Sequence, residues 1–495
     1  MRKVLIANRG EIAVRLIRAC RDLGLASVAV FSDADRAALH VQMADEALRL
    51  GPAPAAESYL NQERVLAAAR RSGADAIHPG YGFLSENAGF AAACRSAGVT
   101  FIGPTPESMA ALGSKTAARR LASEQKIPIL PGTVEAVRGA EEAVRVAAEI
   151  GFPVMLKASA GGGGKGMRRV ASAEELAPAL ALAAAEAGSA FGDSAVFLER
   201  AVDRPRHVEM QVFGDLHGHL AWLGERDCSV QRRHQKIIEE SPAPRLSAAT
   251  REAMGRAAVA VARAANYSSA GTVEFLVDAT EHFYFLEVNT RLQVEHPVTE
   301  AVTGLDLACL QIRIAQGEPL PFTQADMVSR GHAFECRIYA EDPDDNFMPS
   351  PGIIRLLQPP AGPGVREDTG VYPGWTVPLD YDPLLSKLIV WGSDREQAAA
   401  RMRRALDEYQ LAGIRNNLAF FRRVFADADF LAGHTDTGYV ARLLAQTAHP
   451  QPGPAPELVA AAVAMAAASE RPAPAPEAAS ASHWQRSARR EAVRR

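Results

Sequence analysis

The sequence predicts an α/β and α+β chain built from several domains, and three observations carry that expectation. Residues 1–112 alternate short apolar strands with helical stretches, the βαβ pattern of an open parallel sheet. Residues 271–289 hold two runs rich in β-branched and aromatic residues, separated by a short polar turn, which predicts an antiparallel hairpin. Residues 331–446 read as strands followed by the helix Arg395–Gln410. A length of 495 residues fits about three domains at 100–200 residues each.

The elements follow in order. Val4–Ala7 is a short apolar strand, Asn8-Arg9-Gly10 a turn, and Glu11–Leu23 a helix with Ile12, Leu16, Ile17 and Leu23 near helical spacing. Gly24 suits the cap that ends it. Ser27–Phe31, Asp75–His78 and Val99–Ile102 are the next strands. Ligands on open parallel sheets bind beyond the carboxyl ends of the strands, where Asn8–Glu11 and His78-Pro79-Gly80-Tyr81-Gly82 lie; a purely fold-maintaining role for these turns fits their spacing equally. No GxGxxG occurs, so the nicotinamide fingerprint is missing. A helix follows Lys115, a Pro-rich break spans Ile127–Gly132, and Phe152–Ala158 is a strand. Residues 203–330 contain several strands and the hairpin. After about residue 446 the composition turns to Ala and Pro, with a basic end at Arg486, Arg489, Arg490, Arg494 and Arg495.

Composition narrows the class. Hydrophobic residues make up 48 % and charged residues 23 %, globular values. The balance of 54 basic against 58 acidic residues gives −4, so net charge offers no argument for nucleic acid. The five cysteines stand singly without a CxxC, which argues for buried thiols in a reducing compartment. The apolar run at the N-terminus is too short for a signal peptide, and Leu458–Ala468 is far below a membrane span. A cytoplasmic protein without membrane or nucleic-acid partners is expected.

Three stretches carry chemistry. In Lys157–Gly166 (KASAGGGGKG) a glycine run follows a strand that delivers Lys157 into it. Such backbone can close N–H groups over phosphate oxygens, although Lys165-Gly166 departs from a Walker A loop and a flexible linker is the alternative. In the hairpin, a turn centred between Thr280 and Glu281 sets Glu274 opposite Glu287, with Asn289 on the same face. Facing carboxylates repel unless neutralised; two carboxylates and an amide oxygen are hard ligands suited to Mg²⁺ shared with phosphates, the alternative being a solvated hairpin face. If that strand continues, Arg291, Gln293 and Glu295 extend the same face, placing a cation and a base beside the metal site, or a surface ion pair. Finally, Gln231-Arg232-Arg233-His234-Gln235-Lys236 is a dense basic run that could clamp phosphoryl groups; a solvated charge run and a nucleic-acid patch compete, the latter weakened by the lack of interleaved aromatics.

These stretches, with Ile6–Ala13, His78–Asn87 (HPGYGFLSEN), Arg206–Gln211 (RHVEMQ), Asp227–Glu240, Glu287–Glu300 (EVNTRLQVEHPVTE) and Glu335–Glu341 (ECRIYAE), resemble the biotin carboxylase component of biotin-dependent carboxylases across nearly all of 1–446. The resemblance implies a Rossmann-like N-terminal domain (1–112), an ATP-grasp domain (113–330) with a mobile lid at about 131–202, an α+β C-terminal domain (331–446) and an Ala/Pro-rich basic tail (447–495). It implies phosphorylation of bicarbonate by ATP to carboxyphosphate, then carboxylation of biotin on a carrier protein or domain. It places Lys115, Lys157, Gly163, Gly164, Glu199, Arg200, Ala201, Val202, His207, Gln231 and His234 about the nucleotide. Glu274, Glu287 and Asn289 would hold two Mg²⁺ (or Mn²⁺) ions. Lys236, Arg291, Gln293 and Val294 would hold bicarbonate, with Glu295 as its base, and Tyr81 and Arg337 would serve biotin, Arg337 stabilising the enolate. Departures are small: Ala160 replaces a glycine, Ser268-Ser269 a small apolar pair, and Arg200 a lysine.

No Met-Lys-Met biotin acceptor occurs, so the expected partners are a carrier in trans and carboxyltransferase subunits, with a homodimer as the assembly. Acetyl-CoA carboxylation and fatty acid biosynthesis are the expected context; a shortened α subunit of a propionyl- or methylcrotonyl-CoA-type carboxylase is the variant. An ATP-grasp carboxylate–amine ligase and a non-catalytic nucleotide-binding regulator are the competing classes. The first needs no biotin-enolate arginine, and the second would be expected to have lost a metal acid or Lys236.

Overall fold

In the computed structural model the first strands are β1 (Lys3–Ile6), β2 (Ala26–Ser32), β3 (Glu46–Gly51), β4 (Ala76–His78) and β5 (Thr100–Phe101); four answer to the expected apolar runs, and β3, whose first residues are exposed, is an addition to them. They pair in parallel in the order β3-β2-β1-β4-β5. The description covers residues 1–133, 135–158 and 167–446, so Gly163, Gly164 and the tail after residue 446 lie outside it. Helix α1 (Gly10–Asp22) follows β1 and ends at Leu23, with Gly24 at φ +68°. A glycine tolerates this left-handed turn without a Cβ clash. The turns after β1 and β4 are tied together by Asn8, whose amide donates to the carbonyls of Pro79 and Tyr81 at 2.7 Å each.

Helix α2 (Lys115–Glu124) opens the next segment, capped by Ser114. A three-stranded antiparallel sheet follows, formed by β6 (Val154–Ala158), β7 (Met167–Val170) and β8 (Val196–Arg200) with β6 central. Its apolar face, with Val154, Leu156 and Leu198, forms a small core of its own with Leu176 and Ala183.

The largest sheet has eight strands. Its members are β9 (Arg206–Gly214), β10 (Leu220–Arg232), β11 (Gln235–Ser241), β12 (Ser269–Val277), β13 (Phe283–Asn289), β14 (His332–Tyr339), β15 (Val365–Thr369) and β16 (Leu384–Gly392), in the order β13-β12-β9-β10-β11-β14-β16-β15. Alternation sorts its two faces. On β9, Val208, Met210 and Val212 enter a core shared with Val273, Phe275 and Phe285, while His207, Glu209 and Gln211 point to the other side. Each of those buried large side chains contributes about 1.5–3 kcal/mol.

The hairpin β12–β13 needs one irregularity to reconcile its two demands. Pairing runs Val277 with Phe283 and Phe275 with Phe285, which centres the turn on Thr280 rather than between Thr280 and Glu281. A one-residue bulge at Leu286 then restores Glu274 opposite Glu287 and Thr272 opposite Asn289. Without it, Phe285 and Glu287 would share a face; with it, the phenyl ring enters the core and the carboxylate turns to the site.

Beyond Asn289 the strand does not continue. Residues 290–295 form an irregular turn into helix α3 (His296–Thr303), which correct the extended reading of Arg291 to Glu295. Helix α4 (Arg395–Glu408) follows β16, ending short of the expected Gln410, which belongs to a short strand. Residues Met1–Ala441 form one compact unit; of the unit Arg442–Arg495 the described part is the end of helix Tyr439–Gln446. No helix among the described residues is long and apolar enough to cross a membrane.

Candidate active site

Four residues lie in one row across four neighbouring strands: Glu287 on β13, Glu274 on β12, Glu209 on β9 and Arg226 on β10, each directly opposite the next. Three adjacent carboxylates are tolerated only because cations surround them. The Lys115 ammonium stands 3.4 Å from Glu287. Lys236 of β11 reaches Glu209 at 2.5 Å, Glu274 at 2.8 Å and Glu295 at 2.8 Å. His207 Nε2 lies 2.9 Å from Glu274 Oε2, an ion contact not aligned as a hydrogen bond. Burial opposes ionisation of Glu274, but Lys236 and His207 outweigh it and hold the carboxyl well below its ordinary range.

Arg226 closes the row at 0 % exposure, with all five guanidinium N–H groups in use. They donate to Glu209 (2.5 Å), Gln211 (2.7 Å), Thr299 (2.9 Å), Thr272 (3.1 Å) and Gln293 (2.7 Å). Sequence reasoning passed over both Arg226 and Glu209. Arg226→Met should destabilise the fold by about 3–5 kcal/mol, because Glu209 would lose one of its two cations and Gln211, Thr272, Gln293 and Thr299 their buried donor. A shift of the urea midpoint checks this; an unchanged midpoint would show the network is dispensable.

The turn into α3 gathers the remaining residues despite its irregular path. Gln293 spans the cluster, donating to Glu274 Oε1 at 3.0 Å and accepting from Arg226. Asn289 donates to Glu274 at 2.8 Å, and its Oδ1 accepts from Arg291 at 3.2 Å. Arg291 also bonds Glu86 at 3.0 Å. The Val294 carbonyl accepts from the buried Lys387 at 2.8 Å. Glu295 lies between Lys236 (2.8 Å) and Arg337 of β14 (2.9 Å). Burial favours its neutral form, yet Lys236, Arg337 and Arg226 together hold it far below the usual carboxylate range.

The basic run does not act as one clamp. Gln231 bonds His207 at 2.8 Å, but Arg232 pairs with Glu341 at 3.0 Å and Arg233 with Asn346 at 3.0 Å. The tight turn explains the split, since Arg233 and His234 take positive φ (50° and 68°) and send successive side chains apart. Burial and the nearby Lys157 and His207 push the His234 imidazole below its ordinary range. Lys157 at the end of β6 lies 2.5 Å from Glu199 of β8, and Arg119 of α2 pairs with the same carboxylate. Arg119 is a further residue the sequence reading missed. Arg200, Ala201 and Val202 follow directly, the first two tied through backbone N–H groups to the carbonyls of Pro131 (2.8 Å) and Pro153 (2.9 Å).

Beside Glu295 opens a cavity of about 500 Å³ lined by Arg9, Tyr81, Gln235, Arg291, Val294 and Arg337, among others. Arg9 is fixed in its wall by a two-pronged bond to Asp35 (2.6 and 2.7 Å) and by stacking on Tyr381. The Tyr81 hydroxyl donates to Glu11. The arrangement is thus a carboxylate row suited to a divalent cation, joined through Lys236 and Glu295 to a separate pocket with a guanidinium in its wall.

Residues 1–109 match the family described as biotin carboxylase, N-terminal domain, 114–323 the carbamoyl-phosphate synthase L chain, ATP binding domain, and 335–442 the biotin carboxylase C-terminal domain. The chain is 52 % identical to the biotin carboxylase of Nostoc sp. over 441 residues, which is 89 % of this chain and 99 % of that one. It is 52 % identical to the human mitochondrial propionyl-CoA carboxylase alpha chain, of which it spans 61 % while 89 % of this chain is covered. The biotin carboxylase domain dimer of Hydrogenobacter thermophilus 2-oxoglutarate carboxylase, solved with MgADP, ADP and bicarbonate, superposes with a TM-score of 0.87 at 44 % identity, covering 91 % of this chain and 99 % of that one.

Proposed function

The chain belongs to the biotin carboxylase family of ATP-dependent ligases, and we propose that the row Glu287–Glu274–Glu209 and the Arg337 pocket divide that family's two half-steps between them. ATP activates bicarbonate as carboxyphosphate over the carboxylate row, and the carboxyl group passes to biotin in the adjoining pocket. The observation that carries this division is Glu295, whose two oxygens contact Lys236 on one side and Arg337 on the other.

Glu274, Glu287 and the Asn289 amide oxygen fit two Mg²⁺ ions, because they are hard oxygen donors gathered at one end of the hairpin, and bound metal would take the place of the side-chain cations that now pair with the two acids. Bound there, the metal ions would offset charge on the phosphate oxygens. Lys115 and Lys157 supply further positive charge along the nucleotide phosphates, His234 adds a neutral imidazole beside them, and Glu199 through Val202 line the adenine side. The segment at about 131–202 acts as the lid over them. Lys236 and Arg291 hold bicarbonate beside Glu295. Cations that turn toward the incoming anion release their hold on Glu295, which raises its basicity where the bicarbonate proton must be taken. Arg337 faces biotin, where a guanidinium favours negative charge developing on the ureido oxygen.

Members of this family work with a biotin carrier and a carboxyltransferase. For this chain we take the carrier to act in trans, the assembly to be a homodimer and acetyl-CoA to be the final acceptor, a reading supported by likeness to a protein named biotin carboxylase and to a biotin carboxylase domain dimer. The direct test incubates the protein with ATP, Mg²⁺, bicarbonate and free biotin. ADP release should require both bicarbonate and biotin; ADP release indifferent to biotin would overturn the reading.

A further inference from the structure

Glu335 of β14 is fully buried, and both of its carboxyl oxygens lack a hydrogen-bond partner. Directly opposite on β11 is Glu239, also fully buried, whose Oε1 bonds Arg337 while its Oε2 has no partner. Opposed side chains on antiparallel strands have Cβ atoms about 4.5–5.5 Å apart, within reach of one shared hydrogen bond. Two ionised carboxylates so placed would repel each other; one proton between them removes that repulsion and joins one oxygen of Glu335 to the unpartnered Oε2 of Glu239.

The surrounding charges decide where that proton sits. Arg337, two residues along the same face, donates to Glu239 (2.7 Å) and to Glu295 (2.9 Å). Lys387 of β16 is taken by the Val294 carbonyl (2.8 Å), Glu11 of α1 (3.2 Å) and Asp368 of β15 (3.9 Å). His296 of α3 is buried and held neutral by desolvation and the nearby cations Lys387, Arg15 and Arg366. No cation among the described residues is bonded to Glu335. Burial raises both acids, and Glu335 goes further because Arg337 bonds only its partner.

We propose that Glu335 and Glu239 hold one proton between them, carried on Glu335, and that Glu335 is thereby a positioning residue that fixes Glu239 under Arg337. This rests on the biotin-side reading of Arg337. Loss of the proton at high pH would set a second buried anion beside Arg337 and draw the guanidinium away from Glu295. Glutamine at position 335 keeps an N–H donor at every pH, whereas methionine keeps none.

Two measurements test the proposal. Infrared spectra of the wild type at neutral pH should contain a buried carboxylic-acid carbonyl band that Glu335→Gln removes. Biotin-dependent ADP release, followed against pH, should fall in the wild type on the alkaline side as that band disappears, and E335Q should lose that alkaline fall. At neutral pH, Glu335→Met should lose rate by about 10-fold, the scale of one unsatisfied buried partner, and E335Q should stay close to wild type. Absence of the band from the wild type, or its persistence in E335Q, overturns the shared proton. Coincident pH profiles of wild type and E335Q overturn the positioning role. If instead Arg337→Ala leaves biotin carboxylation intact, the assignment of Arg337 fails, while the infrared band still reports on the pair.

Discussion

Glu287→Gln is expected to lower ATP turnover by about 100-fold or more, the scale of removing one charge-stabilising group from a transition state, while leaving the fold intact. Of the two facing acids it is the cleaner one to change. Glu274 is 4 % exposed and holds Lys236, His207, Asn289 and Gln293, so altering it disturbs the whole cluster. The Glu287 side chain is 30 % exposed and has a 3.4 Å contact with Lys115. Glutamine keeps its shape and one oxygen but removes a negative charge, so affinity for a hard divalent cation should drop. Titrating Mg²⁺ against ADP release should show both a lower maximum and a higher half-saturating Mg²⁺. An unchanged metal dependence would remove Glu287 from the metal site.

Arg337→Ala should cut biotin carboxylation by about 100-fold or more, comparable to losing an oxyanion donor, with nucleotide affinity little changed. The structure adds a second expectation. Arg337 is the shared partner of buried Glu239 and Glu295, so the alanine variant leaves two carboxylates short of a cation and should lose about 3–5 kcal/mol of stability. Arg337→Lys separates the two effects, since a lysine keeps the charge without the planar fork. It should recover most of the stability and little of the rate. Nucleotide affinity, unfolding midpoint and carboxylation rate measured on one preparation distinguish the roles; a parallel loss of nucleotide affinity and rate in the alanine variant would falsify the biotin-side assignment.

Much of this site was legible in the sequence, for stated physical reasons. Alternation and a short turn are enough to bring Glu274 opposite Glu287, and the structure pairs them. The route differed, because the turn is centred on Thr280 and a bulge at Leu286 makes up the difference. Nothing in residue type announces that bulge; it follows from Phe285 and Glu287 needing opposite faces. The convergence of Arg291, Gln293 and Glu295 was anticipated from an extended strand, whereas an irregular turn delivers it. Glu209 could have been found, since His207, Glu209 and Gln211 alternate with Val208, Met210 and Val212 in a strand pattern. Arg226 and Arg119 were beyond reach, because partners such as Thr299 and Gln293 for the first and Glu199 for the second lie far away in the chain. Sequence spacing does not encode which distant strand will lie alongside.

The pairing of β11 with β14 ties residues 235–241 to residues 332–339 within one sheet. A fragment stopped between those strands would end in a raw margin, with the N–H and C=O groups of β11 left open along a length that normally carries β14. Such a margin recruits other chains. The site therefore cannot be harvested in pieces: a shortened gene product covering only the carboxylate row is expected to clump, and mixing it with the missing half should restore solubility only if the two strands find each other before like meets like.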